Sequence, residues 1–460
     1  MTDVVVVGGG VGGLVVARDL AKGGAAVTLV EASGALGGMV RSHVVAGIAL
    51  DLAADSFATR GDVVSTLAIE LGLGNELCAP DPRGAWLMTR DGRTAPLPAA
   101  GLLGIPSIPM AADVLAVIGT RGGLRAQMDS LLPGPVGASA GTLGELVRRR
   151  MGARVLDDLV VPIAGGVHST HPDRLPLDRV APGLRAALLR DGSLAGAVLA
   201  QRAAAPAGSA VGGIRGGVAR LVDELVADLD TYRVHVRLGT RAVRIDRAGV
   251  DVVAADAGSG PVERLVADHV VAGVPDPERT VPAHRTGIEL VTLVVDQPAL
   301  DDAPRGTGML VHPDAPFARG TGARGARPGP KALTHATVKW PWLAERTDGR
   351  HVLRLSYAVG PQDGPDTTDV GRSVAVDPDS ALAASTAADA ATLLGVPLGA
   401  RHVVGAARVR WHGPDTEAAG LADGVRGVGE ASTGRGLAGI VAGARARAAE
   451  VLDGRDPHPA

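Results

Sequence analysis

The sequence predicts an α/β fold (α+β) that combines a parallel sheet with a second, mixed sheet and a lobe of helices. At 460 residues the chain is too long for one ordinary hydrophobic core, so two or three lobes are expected. Val4 to Val7 form an apolar β-branched run, which is typical of a parallel strand buried on both faces. The proportions of 46% hydrophobic and 21% charged residues are those of a folded globular protein.

The elements after this strand have the order of a dinucleotide-binding crossover. Gly8, Gly10 and Gly13 form the pattern G-x-G-x-x-G, and a helix is expected from about Gly12 to Gly23. A second strand is expected over Ala26–Val30. Because strand, glycine turn, helix and strand follow one another, the pattern is more specific than an isolated glycine motif in a chain with 65 glycines.

Each glycine of this turn, and the acid after the second strand, has a physical role. Gly8 permits the tight turn, Gly10 lets the backbone approach a pyrophosphate, and Gly13 lets helix and strand touch. The phosphates would then lie at the positive N-terminal end of the helix. Glu31 can accept hydrogen bonds from a ribose diol, and an acid rather than an arginine there argues against a 2′-phosphate. These residues predict NAD or FAD without separating the two.

The composition excludes several other classes of function. With 46 basic and 49 acidic residues the net charge is -3, so no basic field is present to recruit nucleic acid. The single cysteine, Cys78, cannot form an internal disulfide, which favours a reducing compartment such as the cytoplasm. No basic region precedes the apolar N-terminal run, so no signal peptide is expected. The apolar stretch 97–118 is broken by prolines and an aspartate, so no spanning helix is expected, while peripheral contact with a membrane stays open.

The segment after the second strand separates the two cofactors. Gly37 and Gly38 follow the acid by six residues, and Arg41 comes three residues later. This segment resembles the extended dinucleotide motif of the flavin amine-oxidase superfamily, in which a Gly-Gly turn passes over the FAD diphosphate. Residues 47–59 resemble the superfamily's segment that reaches the flavin ring, with Ala53 where members usually carry glycine. Contact there would be through the backbone, which alanine tolerates at negative φ.

The middle of the chain is similar to the bacterial protoporphyrinogen and coproporphyrinogen III oxidase family within that superfamily. The similarity is carried by R-R-R-x-G and P-x-x-G-G-V in the helical region 143–198, by R-G-G-x-x-x-L-V in 214–225 and by A-T-V-K-W-P-W in 336–342. In the family the last segment lies on a strand of the substrate domain. Residues 168–170 (H-S-T) and 432–436 (S-T-G-R-G) depart from the family pattern.

The resemblance implies a reaction, a cofactor and a set of site residues. The reaction would aromatise a porphyrinogen, coproporphyrinogen III or protoporphyrinogen IX, in haem (heme) biosynthesis, by hydride transfer to flavin N5 with O2 as the acceptor. FAD would be bound non-covalently, because no cysteine lies near the C-terminal flavin segment. The implied cofactor-binding residues are Gly8, Gly10, Val11, Gly12, Gly13, Glu31, Ala32, Gly37, Gly38, Arg41, Asp55, Ser56, Val243, Gly429, Glu430, Ile440 and Val441.

Three of these implied contacts are specific enough to be compared with a structure. The backbone of Val243 would approach the adenine. Gly429 and Glu430 would meet the ribityl chain or the pyrophosphate. Ile440 and Val441 would begin a helix whose N-terminal amides face the flavin.

The substrate site is predicted less sharply. Anionic propionates favour arginine and lysine partners, and Arg83 and Lys339 are the candidates. Trp340 and Trp342 flank Pro341 and are two of only four tryptophans in the chain. They either brace the wall of a cavity for a large flat macrocycle or, in the case of Trp340, contact the substrate directly. No catalytic residue is assigned, and no hydrolase or metal-binding motif is present.

Two other functions stay open. One is a related flavin amine oxidase or desaturase, which would need an aromatic cage or a long apolar tunnel. The other is a paralogue that binds FAD or a tetrapyrrole without turnover. Oligomeric state is also open between monomer and homodimer.

The predicted architecture is a Rossmann-type FAD/NAD(P)-binding domain, a discontinuous substrate domain with a mixed sheet, and a helical lobe. The FAD-binding domain would gather residues 1–60, 205–275 and 415–460 around a parallel sheet with helices on both sides. The substrate domain would take residues 61–95 and 276–414, and the helical lobe residues 96–204.

Overall fold

A computed structural model describes most of the chain. The described residues are 2–59, 61–168, 170–203, 211–256, 260–278, 287–317, 328–359, 371–412, 420–430, 432–434 and 436–454. The predicted domain boundaries at 60, 204/205 and 414/415 fall on residues outside these ranges, as does Ser169 of the predicted 168–170 departure. The division into six segments therefore stays a prediction.

The strands are numbered in chain order. They are β1 (Asp3–Val7), β2 (Ala26–Val30), β3 (Ser42–Val45), β4 (Ile48–Asp51), β5 (Phe57–Ala58), β6 (Leu77–Cys78), β7 (Trp86–Met88), β8 (Thr94–Pro96), β9 (Gly101–Leu102), β10 (Ile105–Pro106), β11 (Val211–Ile214), β12 (His235–Arg237), β13 (Thr240–Asp246), β14 (Gly249–Ala254), β15 (Glu263–Val266), β16 (His269–Ala272), β17 (Gly287–Val295), β18 (Gly308–Val311), β19 (Ala332–His335), β20 (His351–Val359), β21 (Ser373–Val376), β22 (Val403–His412) and β23 (Arg426–Gly427).

The helices are numbered in the same way. They are α1 (Val11–Lys22), α2 (Val63–Glu70), α3 (Ala112–Gln127), α4 (Leu143–Met151), α5 (Ala153–Val155), α6 (Val161–His168), α7 (Leu177–Val180), α8 (Leu184–Asp191), α9 (Leu194–Ala203), α10 (Arg220–Thr231), α11 (Ala336–Lys339), α12 (Pro341–Ala344), α13 (Ala381–Leu394) and α14 (Gly436–Leu452). In the ranges that the structure describes, no helix is both long enough and apolar enough to cross a bilayer.

A parallel sheet joins three distant parts of the chain. Its strand order in the described residues is β12-β2-β1-β16-β23, and every neighbouring pair is parallel. The predicted first strand, helix and second strand are confirmed as β1, α1 and β2. Because the strands are parallel, their carboxyl ends meet at one edge, and β1, β2 and β16 all end there.

The two faces of this sheet are covered differently. Helices α1, α2, α10 and α14 pack on one face, where Val4, Val6 and Leu14 belong to a continuous apolar core. The other face is covered by the antiparallel strands β13, β14 and β15, through residues such as Val250 and Val252. The prediction of helices on both faces was therefore wrong. Alternation of apolar residues along β14 buries one face of a hairpin, which covers the sheet as well as a helix does.

The second sheet is mixed, as predicted. Its order in the described residues is β21-β22-β17-β20-β19-β18-β7-β8, with β7 parallel to β18 and the other pairs antiparallel. Helix α13 packs on one face, where Leu333, Leu355 and Tyr357 are buried. On the opposite face, in contrast, four side chains of β18, β19 and β20 are only half-buried: Leu310, Ala332, Thr334 and Ser356.

The tryptophan segment is not on a strand, contrary to the expectation drawn from the resemblance. Strand β19 ends at His335, and two short helices, α11 and α12, follow. Pro341 occupies the first turn of α12, where its missing N–H leaves no intrahelical hydrogen bond unmade. Trp340 and Trp342 are both buried in a core that also contains Leu50 of the β3–β4 hairpin.

The helical lobe is organised around one buried charge. Helices α3 to α9 enclose an apolar core, and Arg150 of α4 lies inside it with no exposed surface. Its guanidinium donates to Asp129 Oδ1 at 2.5 Å and to the carbonyl oxygens of Asp129, Pro133, Val136 and Gly192. Asp129 Oδ2 accepts from the amide of Ala195. Every charge-bearing group of the pair thus has a partner, which is the condition for tolerating a buried ion pair.

Replacing Arg150 by methionine should destabilise the protein strongly, because Asp129 would be left as a buried carboxylate without its cation. We expect a loss of about 3–5 kcal/mol in the free energy of unfolding, measured by urea denaturation. The neighbouring Arg149→Met is the matched control: Arg149 pairs with Glu145 but is 48% exposed, so its loss should stay within about 1 kcal/mol. Similar losses for both variants would contradict the assignment of Arg150 as the centre of the lobe.

Candidate functional site

The glycine turn forms the first part of the candidate site. Gly8 has a φ of 102°, a conformation that favours glycine. A Cβ on Gly13 would collide with the carbonyl oxygen of Gly8, so α1 can approach β1 only because residue 13 lacks a side chain. Gly10 caps α1 without any side-chain hydrogen bond, and the space beside its Cα is open. The first amides of α1, starting at Val11, therefore face an open space with the positive end of the helix dipole behind them.

Glu31 is fixed beside this turn at the end of β2. Its carboxylate accepts hydrogen bonds from the amide of Gly9 at 2.7 Å and from the amide of Ser33 at 2.8 Å. Both oxygens keep further acceptor capacity, which a ribose diol requires. Ala32, next to Glu31, is exposed.

The Gly-Gly turn closes over the same space. The amide of Gly37 donates to Gly9 O at 2.7 Å, and the Cα of Gly10 lies 3.3 Å from the Cβ position of Gly38. Arg41 Nε donates to Gly38 O at 2.8 Å, and its Nη2 donates to Gly371 O. Arg41 therefore holds the turn in place through the backbone.

The C-terminal segment meets α1 at Gly12. A Cβ on Gly12 would lie 3.1 Å from Val428 and 3.2 Å from Ile440, with the amide of Gly429 at 3.5 Å. The structure thus brings the first and the last predicted cofactor segments together. The space beside Gly429 Cα is open, which suits close approach of a ligand to the backbone.

The predicted start of the last helix was wrong. Helix α14 begins at Gly436, four residues before Ile440, so the amides of Ile440 and Val441 lie within the helix. Val441 is fully buried in the core behind the site. The amide of Gly436, at the first position of the helix, donates to Glu430 Oε1 at 3.0 Å.

Val243 lies at an irregularity of β13. The pairing between β13 and β14 shifts between Ala242 and Arg244, which leaves Val243 outside the regular ladder. Thr240, three residues before Val243, donates its amide to the backbone oxygen of Glu31 at 2.9 Å, so this strand passes next to Glu31. Such a bulge frees backbone groups for a ligand.

Asp55 and Ser56 lie in a segment that is bound to the mixed sheet. Lys339 Nζ is 2.9 Å from Asp55 Oδ1 and 3.1 Å from Ser56 Oγ, and Arg354 Nη1 is 3.4 Å from Asp55 Oδ2. Burial alone would raise the pKa of Asp55, but the two cations outweigh it and lower that pKa to about 2. Asp55 is therefore an anion at any physiological pH.

Asp51, at the end of β4, connects this segment to α10. Its oxygens accept the amides of Val218 and Ala219 at 3.0 and 2.9 Å, at the start of α10. Burial raises the pKa of Asp51 to about 6, although the two amides and the charge of Arg354 oppose that shift.

The three predicted substrate residues differ in their contacts and in their exposure. Lys339 is engaged by Asp55 and Ser56, as described above. Trp340 is 2% exposed and packs against Gly213, so it braces the core and has little surface left for a substrate. Arg83 is 53% exposed, and its fork binds Asp81 through Nε at 2.9 Å and Nη2 at 3.0 Å.

An open surface lies on the mixed sheet opposite α13. Leu310, Ala332 and Ser356 form one row across β18, β19 and β20, and Thr334 pairs with Arg354 in the next row. Leu310, Ala332, Thr334 and Ser356 are half-buried. Leu310 packs against the helical lobe, while Arg354 Nη2 donates to Ala53 O at 2.8 Å. Ala53 belongs to residues 47–59, called here the flavin-type segment. The open surface thus lies between the helical lobe and the candidate cofactor site.

Sequence reasoning missed Asp51 and Arg354. Asp51 looks like an ordinary residue at a strand end, and Arg354 is one of many arginines in the chain. The only available signal was the interruption of the apolar run 351–359 by an arginine, because a charge inside a buried strand requires a partner. Within the ranges described, no group of three or more His, Cys, Asp or Glu side chains is placed to hold a metal ion.

Comparisons with known proteins agree with this geometry. The model of the family "Flavin containing amine oxidoreductase" matches residues 11–283. Coproporphyrinogen III oxidase of Mycobacterium bovis is 30% identical over 371 residues, which cover 76% of this chain and 75% of that protein. The protein of the same name from Propionibacterium freudenreichii is 29% identical over 280 residues, 54% of this chain and 53% of that protein.

A solved structure from Exiguobacterium sp. 255-15, provisionally named a protoporphyrinogen oxidase, covers 99% of both chains with a TM-score of 0.73 and 21% identity. Putrescine oxidase bound to putrescine has a TM-score of 0.59 at 16% identity, covering 98% of this chain. At these identities the two structures establish the fold alone.

The chain belongs to the flavin-containing amine oxidoreductase family. It is accordingly a flavin-dependent oxidoreductase with FAD as its cofactor. The residues fit that group: the open space at Gly10 and Gly429 would admit a diphosphate, and Glu31 is placed for a ribose. Because residue 12 is a glycine, the start of α1 can contact the C-terminal segment at Val428 and Ile440.

Gly10→Ala should separate cofactor binding from folding. The φ of Gly10 is −71° and no atom lies within 4 Å of its Cβ position, so alanine fits the protein without FAD. The added methyl group would occupy the path of the diphosphate, and we expect FAD affinity to fall at least about tenfold, or about 1.4 kcal/mol. Fluorescence titration of FAD into the apoprotein measures this. Gly34→Ala, also in open space, is the control, and equal affinities for the two variants would contradict the placement of the diphosphate.

Asp51 should give the stability of the apoprotein a specific pH dependence. Between about pH 4 and 6 the folded protein keeps a proton that the unfolded chain has already lost, so stability falls as pH rises through this window and is level above it. Asparagine does not titrate, so Asp51→Asn should lack this contribution. The difference in the free energy of unfolding between wild type and Asp51→Asn should therefore shift against the wild type as pH rises, by up to about 3 kcal/mol across that window. Urea midpoints at a series of pH values measure it, and a constant difference from pH 4 to 7 would refute the shift.

Proposed function

We propose that this FAD-dependent oxidoreductase aromatises a porphyrinogen, coproporphyrinogen III or protoporphyrinogen IX, to the porphyrin with O2 as the electron acceptor. The observation that carries the proposal is the similarity to proteins named coproporphyrinogen III oxidase, which reaches 30% identity over 76% of the chain. Bound FAD supplies the two-electron, hydride-accepting chemistry that such an oxidation needs in each of three cycles. We propose non-covalent binding, because Cys78 is the only cysteine of the chain.

The open surface on the mixed sheet supports a large, flat substrate. Three of its residues, Ala332, Thr334 and Ser356, are small, which leaves room above this part of the β-sheet. Leu310 adds an apolar contact at the border with the helical lobe. A macrocycle could lie on this surface with its edge toward the flavin-type segment, since Arg354 of the same sheet contacts that segment.

The positions of the aromatic residues disfavour the alternative of an amine oxidase. The chain has four Trp, two Tyr and two Phe. Phe57, Trp340, Trp342 and Tyr357 are buried in three separate cores. Few aromatic rings are then left to flank an amine beside the flavin.

Arg83 remains our candidate for binding a substrate propionate. The propionate would have to replace Asp81 as the partner of the guanidinium group.

The direct test is a pair of assays on the purified FAD-loaded protein. Aerobic incubation with each porphyrinogen should give porphyrin fluorescence and peroxide above the rate of autoxidation. Anaerobic addition of the same substrate should bleach the flavin absorbance. A flavin that stays oxidised with both porphyrinogens would refute the proposal and favour a non-catalytic tetrapyrrole-binding protein.

Thr334→Phe should obstruct the proposed substrate surface. The larger side chain would fill the space above β19, and we expect porphyrinogen kcat/KM to fall at least about tenfold while the FAD content is unchanged. Thr334→Val keeps the volume and is the control for loss of the hydroxyl. Activity of Thr334→Phe equal to that of Thr334→Val would show that the substrate binds elsewhere.

A further inference from the structure

The segment 52–56, called here the flavin strip, is attached to the mixed sheet more than to the parallel sheet. Its backbone lies between β4 and β5, and the amide of Leu52 donates to Arg41 O. Among the described residues, the amides of residues 53–56 donate to no protein group. The strip therefore presents a row of backbone donors that the protein itself does not use.

Two cations, Arg354 of the mixed sheet and Lys339 of α11, bind this strip. Arg354 of β20 donates from Nη2 to the carbonyl oxygens of Ala53 at 2.8 Å and Leu52 at 3.3 Å. Lys339, at the end of α11, binds Asp55 and Ser56 side chains, as given above. Within the described ranges, these two side chains donate all of their hydrogen bonds to the strip.

The charge at the centre of this arrangement is incompletely satisfied. Asp55 Oδ2 and Arg354 Nε are buried, and neither has a hydrogen-bond partner in the described protein. The contact between Asp55 Oδ2 and Arg354 Nη1, at 3.4 Å, is an ion pair with poor hydrogen-bond geometry. The structural ion pair of the helical lobe differs in this respect. Both carboxylate oxygens of Asp129 accept a hydrogen bond, one from Arg150 and one from the amide of Ala195. An arrangement retained with unpaired atoms is typical of a functional site.

We propose that Lys339 and Arg354 are positioning residues, which hold the flavin strip so that its free amides point at the bound FAD. The mixed sheet then determines where the strip lies, and the same sheet carries the proposed substrate surface at Thr334, the register partner of Arg354. The proposal deepens the assignment of FAD as cofactor and does not depend on which substrate is oxidised. It also replaces the predicted role of Lys339 as a partner of substrate propionates.

The first test compares lysine variants by their affinity for FAD. The chain has three lysines, and Lys22 is exposed at the C-terminal end of α1. Lys339→Met should weaken FAD binding at least about tenfold, and Lys22→Met should leave it unchanged. Arg354→Lys keeps a cation but loses the fork to two carbonyl groups, so it should bind FAD less tightly than wild type as well.

A double variant separates positioning from simple stabilisation. In Lys339→Met the carboxylate of Asp55 loses its closest cation, which lowers the melting temperature of the apoprotein. Asp55→Asn combined with Lys339→Met removes the carboxylate that lost its closest cation, while Arg354 keeps its hydrogen bonds to the carbonyl groups of the strip. This double variant should recover part of the melting temperature, while FAD affinity stays at least about tenfold below wild type. If the double variant recovers both quantities, or if Lys339→Met binds FAD like wild type, the positioning role is refuted.

A measurement on the wild-type protein covers the case in which the variants fail to fold. The side chain of Lys339 is 15% exposed, and an amine-acetylating reagent can be followed at each lysine by mass spectrometry. Saturating FAD should slow acetylation of Lys339 severalfold and leave Lys22 unaffected. An unchanged rate at Lys339 would refute the proposal. Failure to oxidise porphyrinogens would not affect either readout, so the two proposals fail separately.

Discussion

The close approach of α1 to β1 is the constraint on which the candidate site depends. Only hydrogen fits between Gly13 and the carbonyl oxygen of Gly8, and this contact sets the direction of the helix. The N-terminal amides of α1 then face the carboxyl edge of the parallel sheet, where Glu31 is fixed by the amide of Gly9. The Gly37–Gly38 turn and the segment around Gly429 are both defined by their contacts with this helix start. A side chain at residue 13 would displace all of them together.

The mixed sheet differs from the parallel sheet because one of its faces is buried and part of the other is open. Helix α13 covers one face, so that Leu333 and Leu355 provide the apolar burial that stabilises the sheet. The opposite face can then carry small and polar residues at little cost. Arg354 lies on that face, and its charge is balanced by Asp55 from another segment of the chain. Because the face under α13 stabilises the sheet, the opposite face is free to carry the proposed substrate surface.

Prediction from the sequence succeeded where a short segment has one physical solution. Strand β1, helix α1 and strand β2 were predicted within one or two residues, because glycine spacing and apolar periodicity are local. Prediction failed where the structure depends on contacts with residues that are distant in the sequence. The covering of the parallel sheet by β13 to β15 depends on apolar contacts between residues far apart in the chain.

The sequence by itself determined the crossover of strand, glycine turn, helix and strand and the position of Glu31 at its end, since turn geometry and helix polarity follow from residue type and spacing. It also determined that an anion and two cations exist at Asp55, Lys339 and Arg354, but not that they would meet. Only the tertiary structure decided that meeting, because residues almost 300 positions apart come within 2.9 Å only when two sheets are folded and packed. It likewise decided that Trp340 is buried, since burial depends on the whole packed chain.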